Sequence, residues 1–105
     1  MKTQLTKGLQ RRLMYIENKD GTILGSGARI GWVTFSKTGR TVYYADKSFR
    51  LAKRINGNHI DEESGEGYWI SGVKKRGSNV HYAESASVVI DEDAREAYVE
   101  WHAQD

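Results

Sequence analysis

The chain has 105 residues, room for one domain with one hydrophobic core and not for two. It contains no cysteine, which excludes disulfides and thiolate metal sites and makes a reducing compartment, the cytoplasm, the natural expectation. The net charge of +2 hides an asymmetry, because residues 1–60 carry twelve Lys/Arg against three acids and residues 61–105 carry four against eleven.

Residues 1–10 are polar apart from Leu5 and Leu9 and lack the apolar run of a secretory signal. They read as a flexible tail ahead of a single domain over 11–105. The first apolar run, Leu13-Met14-Tyr15-Ile16-Glu17, is closed by Asn18-Lys19-Asp20-Gly21. A mobile loop through Gly25-Ser26-Gly27 is expected next. Arg29 to Phe35 is rich in β-formers and stops at Ser36-Lys37-Thr38-Gly39, where glycine permits the positive φ of a hairpin turn. The return strand is Arg40-Thr41-Val42-Tyr43-Tyr44. After the tight break Ala45-Asp46, Lys47 to Leu51 alternates so that Phe49 and Leu51 share one side.

Residues 53–66 are polar and rich in Gly, Asn and acids, and read as an irregular excursion. Tyr68 to Val73 resumes strand character, and Lys75 to Asn79 suits a second hairpin turn leading to Val80-His81-Tyr82. Val88-Val89-Ile90 is a short extended piece. Asp91 then stands where an N-cap belongs, its carboxylate expected to accept from the first-turn N–H groups, with Glu92 and Asp93 matching the helix dipole. Ala94, Ala97, Tyr98 and Trp101 form one apolar stripe at i, i+3, i+4 and i+7. A helix over 91–103 is too short to stand alone, so it must dock on the sheet through Tyr98 and Trp101. The expected fold is mainly β, a small curved antiparallel sheet or SH3-like half-barrel of five or six strands with one C-terminal helix.

Reactive chemistry is poorly supported. His59, His81 and His102 are far apart and have no thiol partners, whereas zinc needs three or four converging ligands. Asp61 to Glu66 lacks the alternating spacing of a calcium loop. Gly25-Ser26-Gly27 leads into a strand rather than the helix a phosphate loop requires. No Gly-x-Ser-x-Gly occurs, and no serine has an identifiable histidine partner. No catalytic residue, metal or cofactor is therefore expected.

The remaining signal is an interleaving of aromatic and basic residues. Arg29, Trp32, Lys37, Arg40, Tyr43, Tyr68, Trp69, Lys74 and Lys75 are the expected binding face. Small β-barrels bind single-stranded nucleic acid by stacking bases on rings while cations track phosphates. The plainer reading is that the rings fill the core, the bases wet the surface, and the two charged halves face each other. In the second strand Ile30 and Trp32 point one way and Val33 and Phe35 the other, so one pair must be covered by the helix, by a partner or by nothing.

Several segments resemble a known family. They are Leu13-Met14-Tyr15-Ile16-Glu17, Ala28-Arg29-Ile30-Gly31, Phe35 to Tyr44, Tyr68-Trp69-Ile70-Ser71-Gly72 with Lys74-Lys75, and Ile90 to Glu96. In this order they resemble a family of small uncharacterised bacterial proteins, over most of residues 12–101. The chain differs from the family pattern at Trp32, where a basic residue is usual, at Val73, where proline is usual, and at Asn79-Val80-His81. The resemblance implies no established function. Members often carry the label 1-deoxy-D-xylulose-5-phosphate synthase, which does not suit this chain. A thiamine diphosphate enzyme needs a magnesium-binding Gly-Asp-Gly segment and large domains around the cofactor, and neither is present.

The leading expectation is a non-enzymatic module that binds a protein partner through the basic and aromatic face. Near-balanced charge favours protein over single-stranded nucleic acid, because nucleic-acid binders show a uniformly basic face. An inhibitor or immunity-type protein acting through Asp61 to Glu66 or the Asp91 helix start is a further alternative, and an enzyme acting on a small molecule would need a concave pocket.

Overall fold

The computed structural model describes residues 10–53, 57–73 and 88–103. Seven strands form: β1 Arg11–Asn18, β2 Ala28–Phe35, β3 Thr41–Tyr44, β4 Lys47–Leu51, β5 His59–Asp61, β6 Gly67–Gly72 and β7 Val88–Ile90. A 3-10 turn, Glu92–Ala94, leads into the one described α-helix, α1, Arg95–Ala103. The sheet order is β1-β6-β5-β4-β3-β2-β7, and β1 also pairs with β2. Six antiparallel strands thus close a small barrel of SH3-like scale, with β7 lying outside along β2.

Period-2 alternation divides the side chains between two apolar layers. Inward-facing Ile16, Val33, Val42, Phe49, Tyr68 and Ile70 fill the barrel, each buried. Phe49 and Tyr68 meet with ring centroids 4.5 Å apart. Burying a side chain of this size stabilises the fold by about 1.5–3 kcal/mol. The outward-facing set, Tyr15, Ala28 and Ile30 with Val73, is covered by Ile90, Tyr98 and Trp101. The two-sided apolar character of β2 is explained: Val33 and Phe35 belong to the barrel core, and Ile30 belongs to the layer under the helix.

The turn Ser36–Gly39 forms as expected, with Gly39 at φ +78° and its N–H donating to the Ser36 carbonyl at 2.9 Å. Several local expectations are corrected. Residues 53–66 are not irregular throughout, because His59–Asp61 is a strand between β4 and β6. Nor is the segment around Gly25 a loose loop. Leu24 and Gly25 both take positive φ, and Ile23 and Ser26 exchange backbone hydrogen bonds of 2.7 and 3.1 Å, the pattern of a type I′ turn. β7 pairs parallel to β2. Leu51 shares the side of Phe49 but lies past the end of the core and is 53% exposed.

Asp91 does not cap the helix with its side chain. Its carboxylate reaches back into the gap beside β2 and binds Arg29 and Tyr44 instead. Of the expected tail, residues 1–10, only Gln10 is described, and its carbonyl is tied to the Phe35 N–H at 3.1 Å; residues 1–9 and the second hairpin with Val80-His81-Tyr82 lie outside the described residues. Among the described residues no helix is long and apolar enough to cross a membrane.

The two-residue turn Ala45-Asp46 joins Tyr44 to Lys47, and Ala45 takes φ +54°. A first central residue at positive φ is where a type II′ hairpin turn takes glycine, and a Cβ there is strained by about 1–2 kcal/mol. Ala45→Gly is therefore expected to stabilise the domain by about 0.5–1 kcal/mol after the added backbone entropy of glycine in the unfolded chain. Thermal unfolding checks this: Tm should rise by roughly 2–8 °C, and a fall would show that the turn is relaxed.

Candidate functional site

An antiparallel barrel returns its chain to the same two ends, and in this protein that separates the charges. At one end β1, β3 and β5 begin and β2, β4 and β6 finish. Arg11, Arg12, Lys37, Arg40, Arg50 and Lys53 lie there, all exposed. The opposite end carries Asp20, Asp46, Glu62 and Glu63, also exposed, with Glu66 half-buried. Hydrogen bonds tie the strand ends together at the basic pole: Phe35 N–H donates to the Gln10 carbonyl at 3.1 Å, and Leu51 N–H to the Arg40 carbonyl at 2.8 Å. The cations are thus collected from three separate stretches of sequence onto one rigid rim.

The two charged halves of the sequence also meet in direct pairs. Arg29 Nη2 lies 2.7 Å from Asp91 Oδ1, and Lys47 Nζ lies 3.5 Å from Asp61 Oδ2. Both pairs join the basic half to the acidic half. Asp61 is 1% exposed. Burial works against its charge, but the N–H groups of Glu63 and Ser64 and the Lys47 ammonium outweigh it and hold the carboxyl below the usual range. The Lys19–Glu17 pair, at 2.8 Å, lies within β1 and the turn after it.

The expected binding face is only partly assembled. Tyr68 points inward and is fully buried, its hydroxyl accepting from Asn18 Nδ2 at 3.1 Å. Burial first, then the carboxylates of Asp61 and Glu66, push its phenol up to about 12. Arg29 is engaged by Asp91 and also donates to the Leu24 carbonyl at 3.1 Å. Tyr44 donates to Asp91 Oδ2 at 2.5 Å, and burial together with that carboxylate pushes its phenol up. Arg29 therefore fastens the helix leader to the barrel. Trp69 packs half-buried in the outer layer. Lys74 and Lys75 lie outside the described residues.

Lys37 and Arg40 lie in the β2–β3 turn at the basic end, Tyr43 on β3 stands opposite Thr34, and Trp32 lies two residues before Thr34 on β2. Trp32 is held on two sides. Its indole N–H donates to the Asp93 carbonyl at 3.0 Å, and the Arg11 guanidinium lies 4.1 Å from its ring centroid. Such a cation–π contact is worth about 0.5–1 kcal/mol at an exposed site.

Arg11, Arg12 and Lys53 were missed by sequence reasoning, which looked for cations beside aromatics. The usable signal is positional, since each sits at a strand end that the antiparallel order brings to one pole. Among the described residues no three His, Asp or Glu side chains converge as a metal site requires. Comparison with protein-family models, with curated proteins and with solved structures gives no match, so the functional reading rests on this geometry.

Proposed function

We propose that this chain is a non-enzymatic binding module that engages an acidic surface of a protein partner through the basic end of its barrel. The observation that carries the reading is the basic rim itself, where Arg11, Arg12, Lys37, Arg40, Arg50 and Lys53 share one end of the barrel while Asp20, Asp46, Glu62 and Glu63 lie exposed at the other. Such a rim steers an acidic partner and raises the association rate. Leu51, exposed amid these cations, supplies an apolar contact at the centre.

Protein is favoured over single-stranded nucleic acid by the state of the rings. Base stacking needs open aromatic faces. Tyr68 is buried, one face of Trp32 is taken by Arg11, no aromatic is among the exposed large side chains of the described residues, and the open surface left to Trp32 and Trp101 lies in the groove beside α1.

The test uses Arg40→Glu with Arg50→Glu, two exposed positions outside every described ion pair. The doubly reversed chain should fold normally. In low salt it should bind a polyglutamate peptide at least about tenfold more weakly than the parent. An unchanged affinity overturns the proposal. So does tight binding of oligo(dT) that falls steeply as salt is raised.

A further inference from the structure

We propose that the groove between the outer barrel face and α1 is a binding site for a small amphiphilic carboxylate. The groove holds a half-open cavity of about 370 Å³ lined by Leu13, Val73, Ala97, Trp32 and Trp101. That volume is at the small end of the range for ligand sites, about 300–1,000 Å³, and suits a short-chain or one- to two-ring acid.

The chemistry of the walls selects the ligand. Trp32 gives its N–H to the Asp93 carbonyl and Trp101 gives its N–H to the Val73 carbonyl, each at 3.0 Å. With those donors occupied, the rings offer the cavity apolar surface. Arg11, Arg12 and Glu100 complete the lining, two cations against one anion. Among the described residues neither guanidinium is in an ion pair. A guanidinium beside an apolar pocket binds a carboxylate by charge-assisted, bidentate hydrogen bonds while the ligand body leaves water. Glu100 disfavours a second negative charge, so a monocarboxylate fits better than a dicarboxylate. This site adjoins the rim proposed to meet a partner and shares Arg11 and Arg12 with it.

The test is titration of the full chain, labelled with ¹⁵N, with 1-naphthoate, followed by the indole N–H signals of its three tryptophans. The signals of Trp32 and Trp101 should move and saturate, while that of Trp69, which does not line the cavity, stays in place. The neutral isostere 1-naphthalenemethanol should bind about tenfold more weakly. Ala97→Leu fills the cavity and should abolish the shifts. Arg12→Gln, at an exposed position, should weaken naphthoate about tenfold and leave the alcohol unaffected. The proposal is overturned if the Trp32 and Trp101 signals do not move at millimolar naphthoate, if acid and alcohol bind equally, or if Arg12→Gln binds naphthoate as the parent does.

Discussion

Gly31→Ala is expected to destabilise the domain by about 3 kcal/mol and to loosen the helix from the barrel. Gly31 lies on β2 opposite Met14, with its missing side chain directed at the Asp91 carboxylate. A Cβ there would overlap Asp91 Oδ2 and stand 2.8 Å from Tyr44 Cε1. Neither neighbour can retreat cheaply. Asp91 is held at Oδ1 by Arg29 Nε at 2.9 Å, and its own N–H donates to the Ile30 carbonyl at 2.9 Å. Tyr44 is 4% exposed. The carboxylate must swing out, leaving a largely buried guanidinium and a phenol without their acceptor, and hydrogen bonds to charged groups are worth about 1.5–3 kcal/mol each. Urea denaturation measures the loss, and Tm should fall by roughly 10–20 °C. Gly72→Ala, where the added Cβ meets nothing within 4 Å, is the control and should be neutral or slightly stabilising. If the clash is the cause, Gly31→Ala should cost far less on an Asp91→Ala background. Equal cost on both backgrounds would show that strain within β2 is responsible.

The Gly31–Asp91 relation also marks where reading the chain locally stops. Asp91 stands at the right place for an N-cap, and a cap is the nearest acceptor role open to it. What decides otherwise is a glycine sixty residues earlier that opens a gap, and an arginine and a tyrosine that fill its far side. Strands β1, β2, β3, β4 and β6 were legible because β-branched and aromatic runs end at turn residues whose conformations are local. The helix was legible because Ala94, Ala97, Tyr98 and Trp101 recur on one stripe and that stripe does pack on the outer layer.

β5 was not legible. Its three residues place His59 and Asp61 inward, polar groups that mask any alternation, and β4 and β6 recruit it by pairing on both sides. The parallel pairing of β7 is likewise a tertiary choice. Within β6, Tyr68 and Trp69 are both large aromatics, so composition cannot say which faces in. Register against β1 and β5 settles it, since Tyr68 stands opposite Asn18 and His59 on the interior side. The expected binding face lost Tyr68 for this reason, whereas Arg29 is taken up by its pairing with Asp91. The face gained the rim cations because strand order, which no single window of sequence contains, decides which distant residues share an end.

Lowering the pH from about 7 to about 4 is expected to remove on the order of 3 kcal/mol of stability through His59 alone. His59 is 6% exposed, and its Nδ1 lies 2.8 Å from Asn58 Oδ1. That oxygen also accepts from the Ile70 N–H at 2.9 Å, while Asn58 Nδ2 donates to the Ile70 carbonyl at 2.8 Å. The imidazole is built into the barrel wall as a neutral group, and burial lowers its pKa from 6.5 to about 4. Between those values the unfolded chain takes up a proton that the fold refuses. The contribution is therefore complete above about pH 6.5 and is lost progressively down to about pH 4. Asp61, held below its ordinary value of 3.8, loses its contribution only as the unfolded carboxyl protonates around and beneath that value, so most of its effect falls below the imidazole window. Urea denaturation at several pH values should show the parent losing stability across the window and His59→Gln losing much less. Parallel slopes for the two chains would mean that the imidazole is not the proton acceptor. Because β5 begins at the basic end, a charged His59 adds a cation beneath the rim of arginines and lysines, so acid should open the barrel from the pole that is already most positive.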